Sequence, residues 1–215
     1  NYFKGARGEV LVHQELVQLP DEYIVFHDFH PVDPKTGQAA RWNVDHIVVG
    51  PTGVFVLDAK YYRNARVPAA AQSGFTRRNV VQVQRNATEL RQRLVRWSAG
   101  ALDGLFVVAA VVYAQPDASV ANLREGAVRV LPLRLLLKEI LTHSEAAIDQ
   151  EKAGRIARVL VAQMTSDPQA KFKPEFDAYG ELSKAARYAA RDARLATQAA
   201  DGAPTETDAD DTAGA

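Results

Sequence analysis

The sequence predicts an α/β fold: a central mixed sheet with helices on both faces. Three observations carry this reading. Residues 42–50 and 54–61 have strand composition and are joined by Pro51-Thr52-Gly53, a hairpin signature. Residues 105–113, LFVVAAVVY, are a continuous apolar run, as in a strand buried on both faces. Between them Val83, Ala87, Leu90, Leu94 and Trp97 recur at spacings of four, three, four and three, which is the apolar stripe of a helix.

The elements follow in order. Residues 5–18 read as a first helix, with Val12 and Leu16 four apart and Pro20-Asp21 ending it. Residues 22–30, EYIVFHDFH, have the aromatic and β-branched content of a strand, and Pro31 to Gln38 form a turn-rich loop. Strand two covers 42–50 and strand three Val54 to Tyr61; a variable stretch, 63–77, follows. The long helix runs from about Asn79 to Ser98, and the buried strand from 105 to 113. Residues 128–131 suit a short last strand, and Pro132 opens a helix, LRLLLKEIL, as proline often does. Residues 145–164 read as another helix, with Ile148, Ile156, Val159, Leu160 and Met164 as its apolar positions. Beyond Pro168 the core signal fades, and residues 181–198 suit an Ala/Arg-rich helix with no clear apolar face. The expected organisation is a core domain over 1–131, a helical extension over 132–197 and a disordered acidic tail over 198–215.

Composition sets outer limits. With 215 residues, 47% hydrophobic and 24% charged, the chain is long enough for one domain with a sizeable core and is neither disordered throughout, collagen-like nor a coiled coil. Cysteine is absent, which excludes a disulfide framework, a thiolate metal site and a cysteine nucleophile, and fits a reducing cytoplasm. The longest apolar run, Leu105 to Ala114, falls far short of the ~20 residues that span a bilayer, so no membrane partner is expected. No signal-peptide pattern opens the chain, and its start at Asn1 suggests a processed or trimmed terminus. Lys and Arg balance Asp and Glu at 26 each, but Asp201, Glu206, Asp208, Asp210 and Asp211 all lie in the tail. The rest carries 26 basic against 21 acidic residues, a net of +5.

Strand three ends Leu57-Asp58-Ala59-Lys60. Strand side chains alternate, so Asp58 and Lys60 share a face. Such a pair can hold a divalent metal and polarise a water, or form an ordinary ion pair at a strand end. Asp45 sits among apolar residues in Val44-Asp45-His46-Ile47-Val48-Val49 and needs a partner there. Pairing residue 50 with about 53 puts Asp45 opposite about Asp58. Two carboxylates side by side repel unless a cation bridges them; magnesium or manganese suits oxygen ligands, while Lys60 or an arginine is the alternative neutraliser. Glu9 is a third carboxylate, in KGARGE, where a glycine beside it lets the first helix approach the sheet closely. Gln82 flanks the long helix's apolar stripe, with Arg78 and Arg85 a turn to either side. Arg77, Arg78, Arg85, Arg91, Arg93 and Arg96, opposed by Glu89 alone, make that helix basic, either as a phosphate track or as a solvated face. The five histidines, His13, His27, His30, His46 and His143, show no zinc spacing and read as structural. Gly-rich phosphate loops and a Gly-x-Ser-x-Gly elbow are both absent.

Gly8-Glu9, Val44-Asp45-His46, Gly53 to Lys60 and then Gln82 form an ordered set that resembles the nuclease-related domain, NERD, over roughly residues 3–115. That family falls in the PD-(D/E)xK, restriction-endonuclease-like superfamily. This chain has Asp58 where the family most often has Glu, and Asn79-Val80-Val81-Gln82 where Asn-Pro usually precedes the glutamine, which leaves Gln84 a rival. The resemblance implies a three-layer restriction-endonuclease-like core and a bacterial-type, Mg²⁺- or Mn²⁺-dependent nuclease acting on DNA. It implies Asp45, Asp58 and the Ala59 carbonyl as metal ligands, Glu9 completing the acidic cluster directly or through water, Lys60 acting on the attacking water and the phosphate, and Gln82 at the rim. The alternative is a catalytically weak or silent nucleic-acid-binding or interaction module of the same fold. The oligomeric state is open, and a homodimer is compatible with the sequence.

Overall fold

A computed structural model of the protein describes residues 2–32, 42–61, 66–67, 74–115, 119–120 and 123–164. The elements in chain order are α1 (Tyr2–Leu16), β1 (Ile24–Phe29), β2 (Val44–Gly50), β3 (Gly53–Lys60), β4 (Arg66–Val67), α2 (Gly74–Trp97), β5 (Val107–Tyr113), β6 (Ser119–Val120), β7 (Leu123–Glu125), β8 (Val128–Pro132), a 3-10 turn (Leu133–Leu135), α3 (Leu136–Thr142) and α4 (Gln150–Gln163). Six strands form one mixed sheet in the order β1-β2-β3-β5-β8-β7, and β4 pairs with β6 separately. β1, β2 and β3 are an antiparallel meander, β5 runs parallel to β3, and β8 parallel to β5. A parallel neighbour needs a crossover, and α2 supplies it.

The residues explain the layers. Every residue of β3 except Lys60, and every residue of β5, is buried, because helices cover both faces of these central strands. On one face, Val83, Leu90 and Leu94 of α2 and Ile156 and Leu160 of α4 pack on Val54, Val56 and Val111. On the other, Val12 and Leu16 of α1 and Leu136 and Ile140 of α3 pack on Phe55, Leu57, Val108 and Val112. Removing a large side chain from either layer costs about 2–5 kcal/mol, so each layer matters to the whole. The hairpin turn pairs Gly50 with Gly53 across Pro51-Thr52. Gly53 has φ +132°, and a Cβ there would come within 2.8 Å of the Ala146 carbonyl oxygen, so only glycine fits the turn against the segment before α4.

The structure shifts several boundaries. α2 starts at Gly74 rather than near Asn79: Gly74, Thr76, Arg77 and Arg78 break up the apolar period ahead of Val83. α4 starts at Gln150 rather than 145: Asp149 is its N-cap and accepts a hydrogen bond from the Lys152 amide at 2.7 Å. Pro132 is the extended end of β8, beside Tyr113, and the expected single helix after it is a 3-10 turn followed by α3. β4, β6 and β7 add strands of two or three residues, too short to show alternation. The expected helix over 181–198, the acidic tail over 198–215 and most of the 31–38 loop lie outside the described residues. Among the described residues no helix is long and apolar enough to cross a membrane.

Three histidines form a chain beneath α1. His27 lies opposite His46 across β1 and β2. His13 Nδ1 is 2.9 Å from His27 Nε2, and His27 Nδ1 is 2.8 Å from His46 Nδ1. Burial first, and His13 second, hold His27 down to about 4; burial, His27 and His13 hold His46 well below the ordinary histidine range. The unfolded chain takes up protons near pH 6.5 whereas folded His27 resists until about 4, so this group withdraws stability as pH falls through that window. His27→Gln should therefore make melting temperature less sensitive to pH between 6.5 and 4.5, by about one proton's worth of slope, ~1.4 kcal/mol per pH unit. Parallel profiles for the variant and the parent protein would refute this.

Candidate active site

Asp45 is the second residue of β2, and Asp58 and Lys60 stand near the end of β3. The ladder pairs His46 with Leu57, which sets Asp45 opposite Asp58 at the next position. Asp45 is clamped there: its Oδ2 accepts the Ala59 amide at 2.9 Å. Asp58 is only 2% exposed, and Lys60 Nζ sits 2.7 Å from its Oδ2. The face shared by Asp58 and Lys60, expected from alternation, is thus realised as a close and largely buried ion pair. His46 points to the opposite face.

Glu9 enters from α1. A Cβ on Gly8 would lie 3.2 Å from the Tyr61 Cβ, so the glycine lets the helix rest against the chain just past Lys60. Glu9 is close enough to push both aspartates' titration upward. Burial is the largest cause for each. It raises Asp45 to about 7, with Asp58 adding to the rise and the Ala59 amide and Lys60 opposing it. Asp58 is also raised by burial, against the pull of Lys60. Two carboxylates beside one ammonium, with Glu9 near enough to add to their repulsion, leave excess negative charge in a partly desolvated place.

That donor set fits a hard divalent cation such as Mg²⁺ or Mn²⁺: carboxylate oxygens, with the carbonyl of Ala59 next in sequence to Asp58. Asp58 adds to the rise at Asp45, and a dication beside them would relieve that repulsion. Among the described residues no three acidic or histidine side chains are already gathered into a metal cage, so the cation would be held by a few protein oxygens and water.

Gln82 is placed apart. It is exposed on α2, in the wall of an open cleft of about 790 Å³ between that helix and the start of β2. Gln84, the alternative, is exposed two residues on, about 200° around the helix. Asn79 is not among the site residues expected from the sequence. It is buried, and its Nδ2 reaches the Tyr113 hydroxyl at 3.5 Å; Tyr113, fully buried, lies beside Lys60 in the β3–β5 register. One signal was present: Asn79 lies four residues before Val83, so it continues the apolar stripe with a polar residue.

An α/β sheet carrying an acidic pair and a lysine at the end of a three-strand meander is consistent with a restriction-endonuclease-like core. The family model described as nuclease-related domain, NERD, matches residues 4–114, just over half of the chain and a span that holds every residue discussed above. The chain belongs to that family. It is also 41% identical over 61 residues to an uncharacterized protein of Bacillus anthracis, a match covering 28% of this chain and 27% of that protein. The matched segment thus spans about a quarter of that relative's length. No solved structure matches the chain.

Two outcomes follow from this geometry. Because Asp45 holds its proton to about pH 7 when folded but releases it near 4 when unfolded, it lowers stability as pH rises through that window. Asp45→Asn keeps an oxygen for the Ala59 amide and removes the charge. It should raise the stability of metal-free protein at pH 8 by about 1 kcal/mol or more, an effect that disappears at pH 4. A destabilised variant at pH 8 would contradict the repulsion. Gly8→Val should drive α1 off Tyr61 and cost about 1–3 kcal/mol in chemical denaturation; an unchanged midpoint would show that the approach is not tight.

Proposed function

We propose that the protein is a metal-dependent nuclease that hydrolyses DNA phosphodiester bonds. The observation that carries this reading is the juxtaposition of Asp45 and Asp58 on adjacent strands with Lys60 Nζ 2.7 Å from Asp58. Asp45, Asp58 and the Ala59 carbonyl would hold Mg²⁺ or Mn²⁺, with Glu9 completing the set directly or through water. When bound, the ion supplies charge stabilisation at the phosphate and a more acidic water. Asp58 fixes the Lys60 ammonium, which then has one direction in which to orient the attacking water and meet the developing phosphate charge. The Ala59 amide fixes the other carboxylate. Gln82 sits at the cleft wall and reaches the nucleic acid there rather than the ion. The absence of cysteine fits a cytoplasmic site of action.

A second reading is a nucleic-acid-binding module of the same fold without catalysis. The exposed Arg77, Arg78 and Arg85 along α2 favour it, since they can meet phosphates without any catalytic group. Lys60→Ala separates the two. In the nuclease reading, metal-dependent cleavage of plasmid and linear DNA falls by about 10²–10³, while binding measured in calcium holds. In the module reading there is no cleavage to lose, and binding weakens with a salt slope smaller by about one. Wild-type protein that cleaves no DNA or RNA with magnesium or manganese would remove the enzyme reading.

A further inference from the structure

The cleft beside α2 has the chemistry of a docking site. Arg77, Arg78 and Arg85 line one wall and are exposed; Arg78 and Arg85 are seven residues apart, about 10 Å along the helix. Among the described residues no carboxylate lines the cleft, and Glu89, the acid on this helix, is held by Arg93 at 2.7 Å. Among the described residues lining the cleft, nothing cancels the arginine charge. The opposite wall begins with Trp42, which is fixed in advance. Its Nε1 donates to Asn86 Oδ1 at 3.2 Å, its ring meets Phe29 at 6.4 Å between centroids, and the Arg93 guanidinium lies over it at 5.1 Å. Asn43 and Gln82 add amides that match base edges rather than phosphates. Asn43 is two residues from Asp45, about 7 Å along an extended chain.

We propose that this cleft binds single-stranded DNA, with phosphates along Arg77, Arg78 and Arg85 and an unpaired base against Trp42 and the amides, so that the strand leads toward Asp45. This deepens the nuclease reading, and its catalytic meaning rests on that reading. Cationic grooves with aromatic walls are how single strands are held without strict sequence demands. A duplex needs only the cations, because its base faces are hidden in the stack and cannot reach Trp42. The cleft, about 790 Å³, has room for a nucleotide or two.

The test is fluorescence anisotropy with labelled single-stranded and duplex oligonucleotides of one sequence, in chelator, so that cleavage plays no part. The single strand should bind at least tenfold more tightly. Arg78→Ala/Arg85→Ala should weaken single-strand binding at least tenfold and reduce the salt slope by about two. Both residues are exposed, so the fold should survive, as melting will show. Trp42 packs on the core and is read by fluorescence instead of replacement: in a Trp97→Phe background, single strands should quench its emission and duplexes should not. Equal or tighter duplex binding, an unaffected double variant, or binding without quenching would each overturn the proposal. Binding that survives in a protein without cleavage would sink the nuclease reading alone, whereas cleavage without single-strand preference would sink this one alone.

Discussion

Asp45 and Asp58 occupy adjacent positions on neighbouring strands in a place that cannot comfortably hold two negative charges, and much of the fold serves to keep them there. Their separation is set by backbone, not side-chain preference: the two-residue turn at Pro51-Thr52 fixes the register, and the Ala59 amide pins Asp45 at 2.9 Å. Burial then raises the cost of ionisation for both. The Lys60 ammonium offsets part of that cost, and Glu9 works against it. A cluster with that sign and shape is poised to take up a cation.

Strand alternation gives β2 two different lives. Asp45 faces the layer of α2, where the acidic cluster and cleft lie; His46, next in sequence, faces α1 and joins the chain of His13 and His27. The two faces answer pH in opposite directions. The carboxylate face loses stability as pH rises, and the histidine face loses it as pH falls. The net profile of the native protein is a difference of these trends, which is why single variants on each face are more informative than the parent curve alone.

The hairpin, the α2 stripe and the buried β5 were legible because each is written in a local period: two for the strands around a tight turn, 3.6 for Val83 to Leu94, and an unbroken apolar run for a strand covered on both sides. The pairing of Asp45 with Asp58 came from turn length alone. What lay beyond reading were features set by chain crossings. The His13–His27–His46 contacts need α1 to pass over β1, and neither the spacing of the histidines nor their neighbours encodes that passage. Asn79 meets Tyr113 only because α2 returns over β5. The cleft between Trp42 and α2 joins residues far apart in sequence, and nothing near Trp42 announces an arginine wall. Strands as short as β4, β6 and β7 carry too few residues for any period.

The carboxylate cluster is proposed to hold a divalent metal. The most direct measurement is anomalous diffraction from crystals grown with manganese. One strong peak is expected beside the Asp45 and Asp58 carboxylates, at metal–oxygen distances of ~2.1 Å, and none in crystals of Asp58→Asn. An ordered site with no peak between these carboxylates, or manganese bound only elsewhere, would contradict it.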